Sequence, residues 1–245
     1  MRLLLIALLL SSSLAQAAPP KAEAFAPVFK LAGIRLLCEQ SAPLAQRGLP
    51  DKQQAQLAEV LAADGLCLDL AKRLTGKLDQ AQLQQVQSLL ESPLAQGFTA
   101  AERAVGEGVA ETLAAYRKQL DERPPRAERL ALVRRLDAAA HTTTLATLLR
   151  YEIGKTQAFL ALLNRGDSID EKALSSQTKA QEDALRASSS AAVESFMLYA
   201  YRQMPSEKLA EYAALYEQPA VAQLLDSSVQ VLPELFAARR AQLKK

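Results

Sequence analysis

Few residues in this chain combine the type and spacing that chemistry requires. Cys38 and Cys67 are its two cysteines. An even pair invites a disulfide in an oxidising compartment, and both lie in helical patterns, so the bond would staple two helices. The alternative is two buried free thiols packing as small apolar side chains. His141 is the single histidine. It has no cysteine or carboxylate at ligand spacing, which makes it a poor metal site. Thr142, Thr143 and Thr144 follow it, and a surface or capping role is expected. Glu91 and Glu217 each stand two residues before a proline. Two carboxylates meeting across a pseudo-twofold axis could act as general acid and base. The plainer expectation is that each bonds nearby backbone at a helix join.

Other chemical signatures are missing from the sequence. There is no Gly-rich phosphate loop, Ser-centred nucleophile elbow or paired CxxC motif. The acidic run Asp167-Ser168-Ile169-Asp170-Glu171 lacks the alternating oxygen ligands and central glycine of a calcium loop. No catalytic residue, metal ligand or cofactor is expected, and the chain reads as a non-enzyme. The stretch "SFMLYAYRQM", Ser195 to Met204, is different. Helical spacing puts Phe196, Tyr199 and Ala200 on one side and Met197, Tyr201 and Met204 on another. A helix apolar on two faces is central, or it lines a pocket or partner surface. Met197, Tyr201 and Met204 are the candidate binding surface.

The elements that would hold these residues are helical. The chain is rich in Ala, Leu and Gln and lacks Trp, and no run alternates as a strand would. Thr99 with Glu102, Asp51 with Gln54 and Asp79 with Gln82 have the spacing of capping boxes. Ser168 with Glu171 reads as another. Pro50, Pro93, Pro205 and Pro219 punctuate helix joins, and Val105, Val109, Leu113, Tyr116 and Leu120 form one apolar stripe. Arg239, Arg240, Lys244 and Lys245 suit the negative end of a last helix, with a membrane-surface role as a weaker alternative.

Met1-Arg2, the apolar run Leu3 to Leu10 and Ala15-Gln16-Ala17 read as a Sec-type signal peptide over residues 1–17, cut after Ala17. The expected location is the periplasm or the exterior. The best later span candidate, Leu145 to Leu163, carries Arg150, Glu152 and Lys155, so no transmembrane anchor is expected after cleavage. The formal charge of the whole chain is +2, which gives no electrostatic case for nucleic acid.

The chain also begins twice. "PPKAEAFAPVFKL" from Pro19 matches "PPRAERLALVRRL" from Pro124. "LQQVQSLLESP" from Leu83 matches "LAEYAALYEQP" from Leu209, and "ETLAAYRKQL" from Glu111 matches "ELFAARRAQL" from Glu234. Three collinear blocks point to an internal duplication, with a first repeat over 18–122 and a second over 123–245. The second carries a polar insert around 164–190. The expected fold is all-α: two tandem halves of four to five helices each, packed as one body.

The stretch from Phe196 to Val231 resembles a bacterial exported family catalogued as domain of unknown function 2059. The matching positions are Ser206, at a small N-cap residue, then Leu209, Tyr212, Leu215, Tyr216, Glu217 and Pro219. "RLALVRRLDAAAHTTTLATLL" looks like the family's opening helices, and Leu83, Leu89, Leu90, Glu91 and Pro93 keep a fainter version in the first half. The resemblance implies an exported helical protein and brings no catalytic residue or ligand. Two functions follow as expectations. The first is a module binding an unknown envelope protein or other envelope component. The second is a carrier of an apolar small molecule held between the halves.

Overall fold

The computed structural model describes residues 19–106, 110–167 and 169–244. The proposed signal peptide, Val109, the Ser168 cap and Lys245 lie outside them. Among the described residues the chain is all-α, without a strand. After a short 3-10 turn at Ala22–Ala24, seven helices lie in the first half: α1 (Phe25–Leu31), α2 (Ile34–Gln46), α3 (Asp51–Val60), α4 (Ala63–Leu74), α5 (Gln80–Leu90), α6 (Pro93–Gly106) and α7 (Ala110–Glu122). Six follow in the second: α8 (Ala127–Ala140), α9 (Thr142–Asn164), α10 (Glu171–Thr178), α11 (Ala180–Ala200), α12 (Ser206–Tyr216) and α13 (Pro219–Gln242). The sequence reading of four to five per half merged neighbours joined by one or two residues. At one such join Gly33, with φ 74°, turns the chain between α1 and α2. At another the join is His141 itself, at φ 52° between α8 and α9.

Local chemistry sets most boundaries. Asp79 and Gln82 form the expected capping box of α5, each side chain accepting from the other's backbone N–H at 2.8 Å. Pro93 opens α6 and Pro219 opens α13, where a missing N–H costs nothing. The other boxes differ. Pro50 is the N-cap of α3, and Gln54 donates instead to the Leu49 carbonyl at 2.7 Å. Asp170 caps α10 by accepting from the Ala173 N–H. Thr99 and Glu102 lie inside α6. Their spacing is that of a cap, but the helix has already started at Pro93.

The helices share one core. In α5 Leu83, Val86 and Leu90 recur on one buried face. α13 is buried more broadly, from Val221 and Leu224 to Leu235 and Phe236, because it packs against α4, α5 and α9 together. Contacts in the two halves correspond. α1 packs on α2, α4 and α5, and α8 packs on α9, α11 and α12. α2 pairs with α4, and α9 pairs with α11. Between halves α2 meets α9, α13 packs on α4 and α5, and α6 packs on α11 and α12. One relation has no counterpart: α9 is closed by α13, whereas α2 and α6 face each other across a cavity.

Cys38 in α2 and Cys67 in α4 form a disulfide with Cα atoms 6.0 Å apart, in a buried position. The expected staple is therefore present. No described helix is long and apolar enough to cross a membrane.

Candidate functional site

Of the apolar stripe from Val105 to Leu120, Val105 lies in α6 and Leu113, Tyr116 and Leu120 lie in α7. α6 is described to Gly106 and α7 from Ala110, and α7 packs on α11. Among the described residues α6 does not pack on α2 as α13 packs on α9. The space left is a cavity of about 700 Å³ between the two halves. A volume of this size suits a small molecule.

Its walls are mainly apolar. Ile34 and Leu37 come from α2, Leu136 from α8, Leu145 and Leu149 from α9, and Met197 from α11. Leu36, which is 55% exposed, and the exposed side chains of Lys30 and Arg103 also line it and form its rim. Apolar side chains supply affinity for a hydrocarbon body without imposing orientation.

A polar cluster occupies one part of the wall. Glu102 from α6 accepts a hydrogen bond from the Tyr201 hydroxyl, and Tyr212 and Tyr216 of α12 complete the group. The Tyr212 and Tyr216 hydroxyls are 3.3 Å apart. Tyr212 stands nearly perpendicular to both neighbours, at 79° to Tyr201 and 88° to Tyr216. Phe98 stacks on Tyr212 with centroids 4.2 Å apart and meets Tyr201 edge-on. Arg129 of α8 fixes the corner from below by donating to the Tyr201 carbonyl at 2.5 Å and the Ser206 hydroxyl at 3.4 Å.

Burial sets the electrostatics of this cluster. It pushes the Glu102 carboxyl above its ordinary value, against the hydrogen bond from Tyr201. It also pushes Tyr201 well above the usual phenol value, with the Glu102 charge acting in the same direction. Tyr212 is also pushed up by burial, and Tyr216 is raised to about 12, again chiefly by burial. The three phenols are neutral donors at physiological pH.

The residues singled out from sequence separate here. Met197 and Tyr201 line the cavity and are 4% and 1% exposed, so they face an interior space and not a free surface. Met204 lies beyond the end of α11 and packs on the core away from the cavity. Of the family-like positions, Ser206 is the first residue of α12, with Pro205 in the cap position. Leu209, Tyr212 and Leu215 are buried, Tyr216 lines the cavity and Pro219 starts α13. Glu91 and Glu217 do not form a pair. Glu217 is held by Arg135 through bonds of 2.7 and 2.6 Å, and Glu91 accepts from Gln87 at 2.9 Å. His141 Nε2 sits 2.8 Å from Asp226, and the start of α9 is capped by Asp137, which accepts from Thr143.

The basic end differs most from expectation. Arg239 and Arg240 are buried. Arg239 passes over Gly65, where a Cβ would come within 3.2 Å of Nη2, and bonds the Val60 carbonyl and Asp69. Arg240 reaches Glu171 at 2.6 Å and lies 2.6 Å from Glu152 Oε2, an ion pair without hydrogen-bond alignment. Lys155 joins the network through Glu171 at 2.7 Å. Burial pushes Glu171 up, but Arg240 and Lys155 outweigh it and hold its carboxyl below the ordinary value. The polar insert thus supplies an anion that helps neutralise a buried arginine.

Sequence reasoning missed Glu102 as a site residue because its spacing from Thr99 imitates a cap. The available signal was its place on the stripe side of Val105, opposite an aromatic-rich partner segment. No family model, curated protein or solved structure matches the chain.

Proposed function

We propose that this protein is an exported, non-enzymatic carrier that holds a small apolar molecule in the cavity between its two halves. The observation that carries the reading is the cavity itself. It is about 700 Å³, apolar over most of its wall, and fitted with one localised polar cluster. Specific small-molecule sites share this combination of broad apolar contact and few orienting polar groups. Burial of Met197 and Tyr201 favours this reading over a module that binds an envelope protein through an exposed face.

The Cys38–Cys67 disulfide and the apolar leader over residues 1–17 both support export to the periplasm or beyond. The matching helix contacts of the two halves support an internal duplication. On that reading the cavity arose where the copies diverged. Pro93 to Leu120 spans three more residues than Pro219 to Leu243, the matching stretch of the second copy. The likeness of α12 to the family of unknown function 2059 remains a resemblance of sequence, and it agrees with an exported helical protein.

The test is binding of the neutral fluorescent probe N-phenylnaphthylamine to the chain from Ala18 onward. One probe per chain should bind, and Met197→Asp should abolish binding while the helical circular dichroism is retained. An unchanged probe signal in Met197→Asp, or no binding to the wild type, would reject the carrier reading.

A further inference from the structure

We infer that the molecule carried is an organic ammonium, whose cationic group sits at Glu102 against the rings of Tyr201, Tyr212 and Tyr216 while its apolar body fills the rest of the cavity. The inference rests on the carrier reading and adds the charge of the ligand.

Glu102 is the only carboxylate among the described lining residues. Other buried or pinned carboxylates in this protein have cations beside them: Glu152 and Glu171 have Arg240 and Lys155, and Glu217 has Arg135. The partner of Glu102 among the described residues is a neutral phenol. A carboxyl taken from water without a cation is costly, and an arriving ammonium would relieve that cost. The aromatic geometry fits the same charge. Tyr212 meets Tyr201 and Tyr216 edge to face, with centroids 6.3 and 5.2 Å apart, and Tyr216 is the least buried of the three rings lining the cavity. Rings of this kind recognise alkylated ammonium groups through their electron-rich faces. Phe98, stacked on Tyr212, holds the assembly in place from outside the lining.

The rim cations Lys30 and Arg103 bear on the alternative, an anionic amphiphile with its head at the mouth. Such a ligand would lay its hydrocarbon tail across the Glu102–tyrosine cluster and leave those polar groups without partners. The groups facing Glu102 are Tyr201 from α11, Tyr212 and Tyr216 from α12, Arg103 from its own helix and Lys30 from α1. The three phenols stay neutral across the acid range. Glu102 is then the group whose ionisation couples to binding. A cation favours the ionised carboxylate, so affinity rises with pH through the elevated Glu102 titration and a proton is released on binding below it.

The test is calorimetric titration of the chain from Ala18 onward with decyltrimethylammonium, decanol and decanoate, each below its micelle concentration. The ammonium should bind about tenfold more tightly than the alcohol, and Glu102→Gln should remove that advantage while changing decanol affinity less than about twofold. Proton release, read from the dependence of the heat on buffer ionisation, should vanish in the same variant. Arg103→Glu, at an exposed rim position, should strengthen ammonium binding and weaken decanoate binding. Decanol or decanoate matching the ammonium, or a preference that survives Glu102→Gln, overturns the charge assignment and leaves the carrier reading standing. Failure of all three probes to bind overturns both.

Discussion

Half-buried Glu102 and buried Arg240 show the two ways in which this chain withdraws charge from water. Arg240 is compensated by Glu152 and Glu171. Arg240→Met leaves buried Glu152 with Lys155, 3.5 Å away, as its remaining cation, and should cost about 3 kcal/mol in urea denaturation. A loss under about 1 kcal/mol would mean that the network contributes little. Glu102 behaves in the opposite sense. Its folded-state value is raised by burial, so the unfolded chain gives up this proton first. Stability is lost as pH rises from the unfolded value through the folded one, and stays lost above it. Glu102→Gln keeps an acceptor for Tyr201 and should therefore unfold at a higher temperature than the wild type near neutral pH. The difference should disappear below the ordinary carboxylate range. A residue kept for structure alone would show the reverse. Both residues were visible in sequence only as surface chemistry, Glu102 as a cap partner and Arg240 as a dipole complement. Sequence spacing reports the helix face and not what lies across from it. Met197 and Tyr201 were legible because an aromatic and sulfur-rich face on an Ala-rich helix has few uses besides core or cavity.

At the scale of elements, proline and capping chemistry made most boundaries legible. The Asp79–Gln82 box and the starts at Pro93 and Pro219 follow from local hydrogen-bond supply. The cavity between α2 and α6 was not legible, because an apolar period reports a helix face and not whether a neighbouring helix packs on it. The disulfide acts on the opposite flank. It ties α2, one wall of the cavity, to α4 with a sequence separation of 29. Closing such a loop should contribute about 3–4 kcal/mol by the chain-entropy argument. A Cys38→Ser, Cys67→Ser double variant should lose about that much in equilibrium unfolding. It should also bind N-phenylnaphthylamine more weakly, because α2 loses an anchor. Unchanged stability would show that packing alone positions α2.

At the scale of the molecule, the all-α class and the single packed body were legible from composition and from the shared length of the blocks. How the halves meet was not. α13 belongs to the second half, yet it buries its faces against α4 and α5 of the first as well as α9. Neither half keeps its core alone. The fragment over residues 123–245 should therefore lack a cooperative thermal transition, while the chain from Ala18 onward should unfold in one step. Two separate transitions in calorimetry would contradict a shared core. A cavity walled by both halves also couples binding to their packing, so an apolar ligand should raise the single unfolding temperature with increasing concentration.

The most direct test of the central claim is native mass spectrometry of the chain from Ala18 onward, purified without detergent and incubated with decyltrimethylammonium or decanol. A single added small molecule per chain is predicted, retained from the source or taken from the probe, and absent in Met197→Asp that has kept its fold. A bare polypeptide mass under every condition, or equal retention in Met197→Asp, would contradict the account.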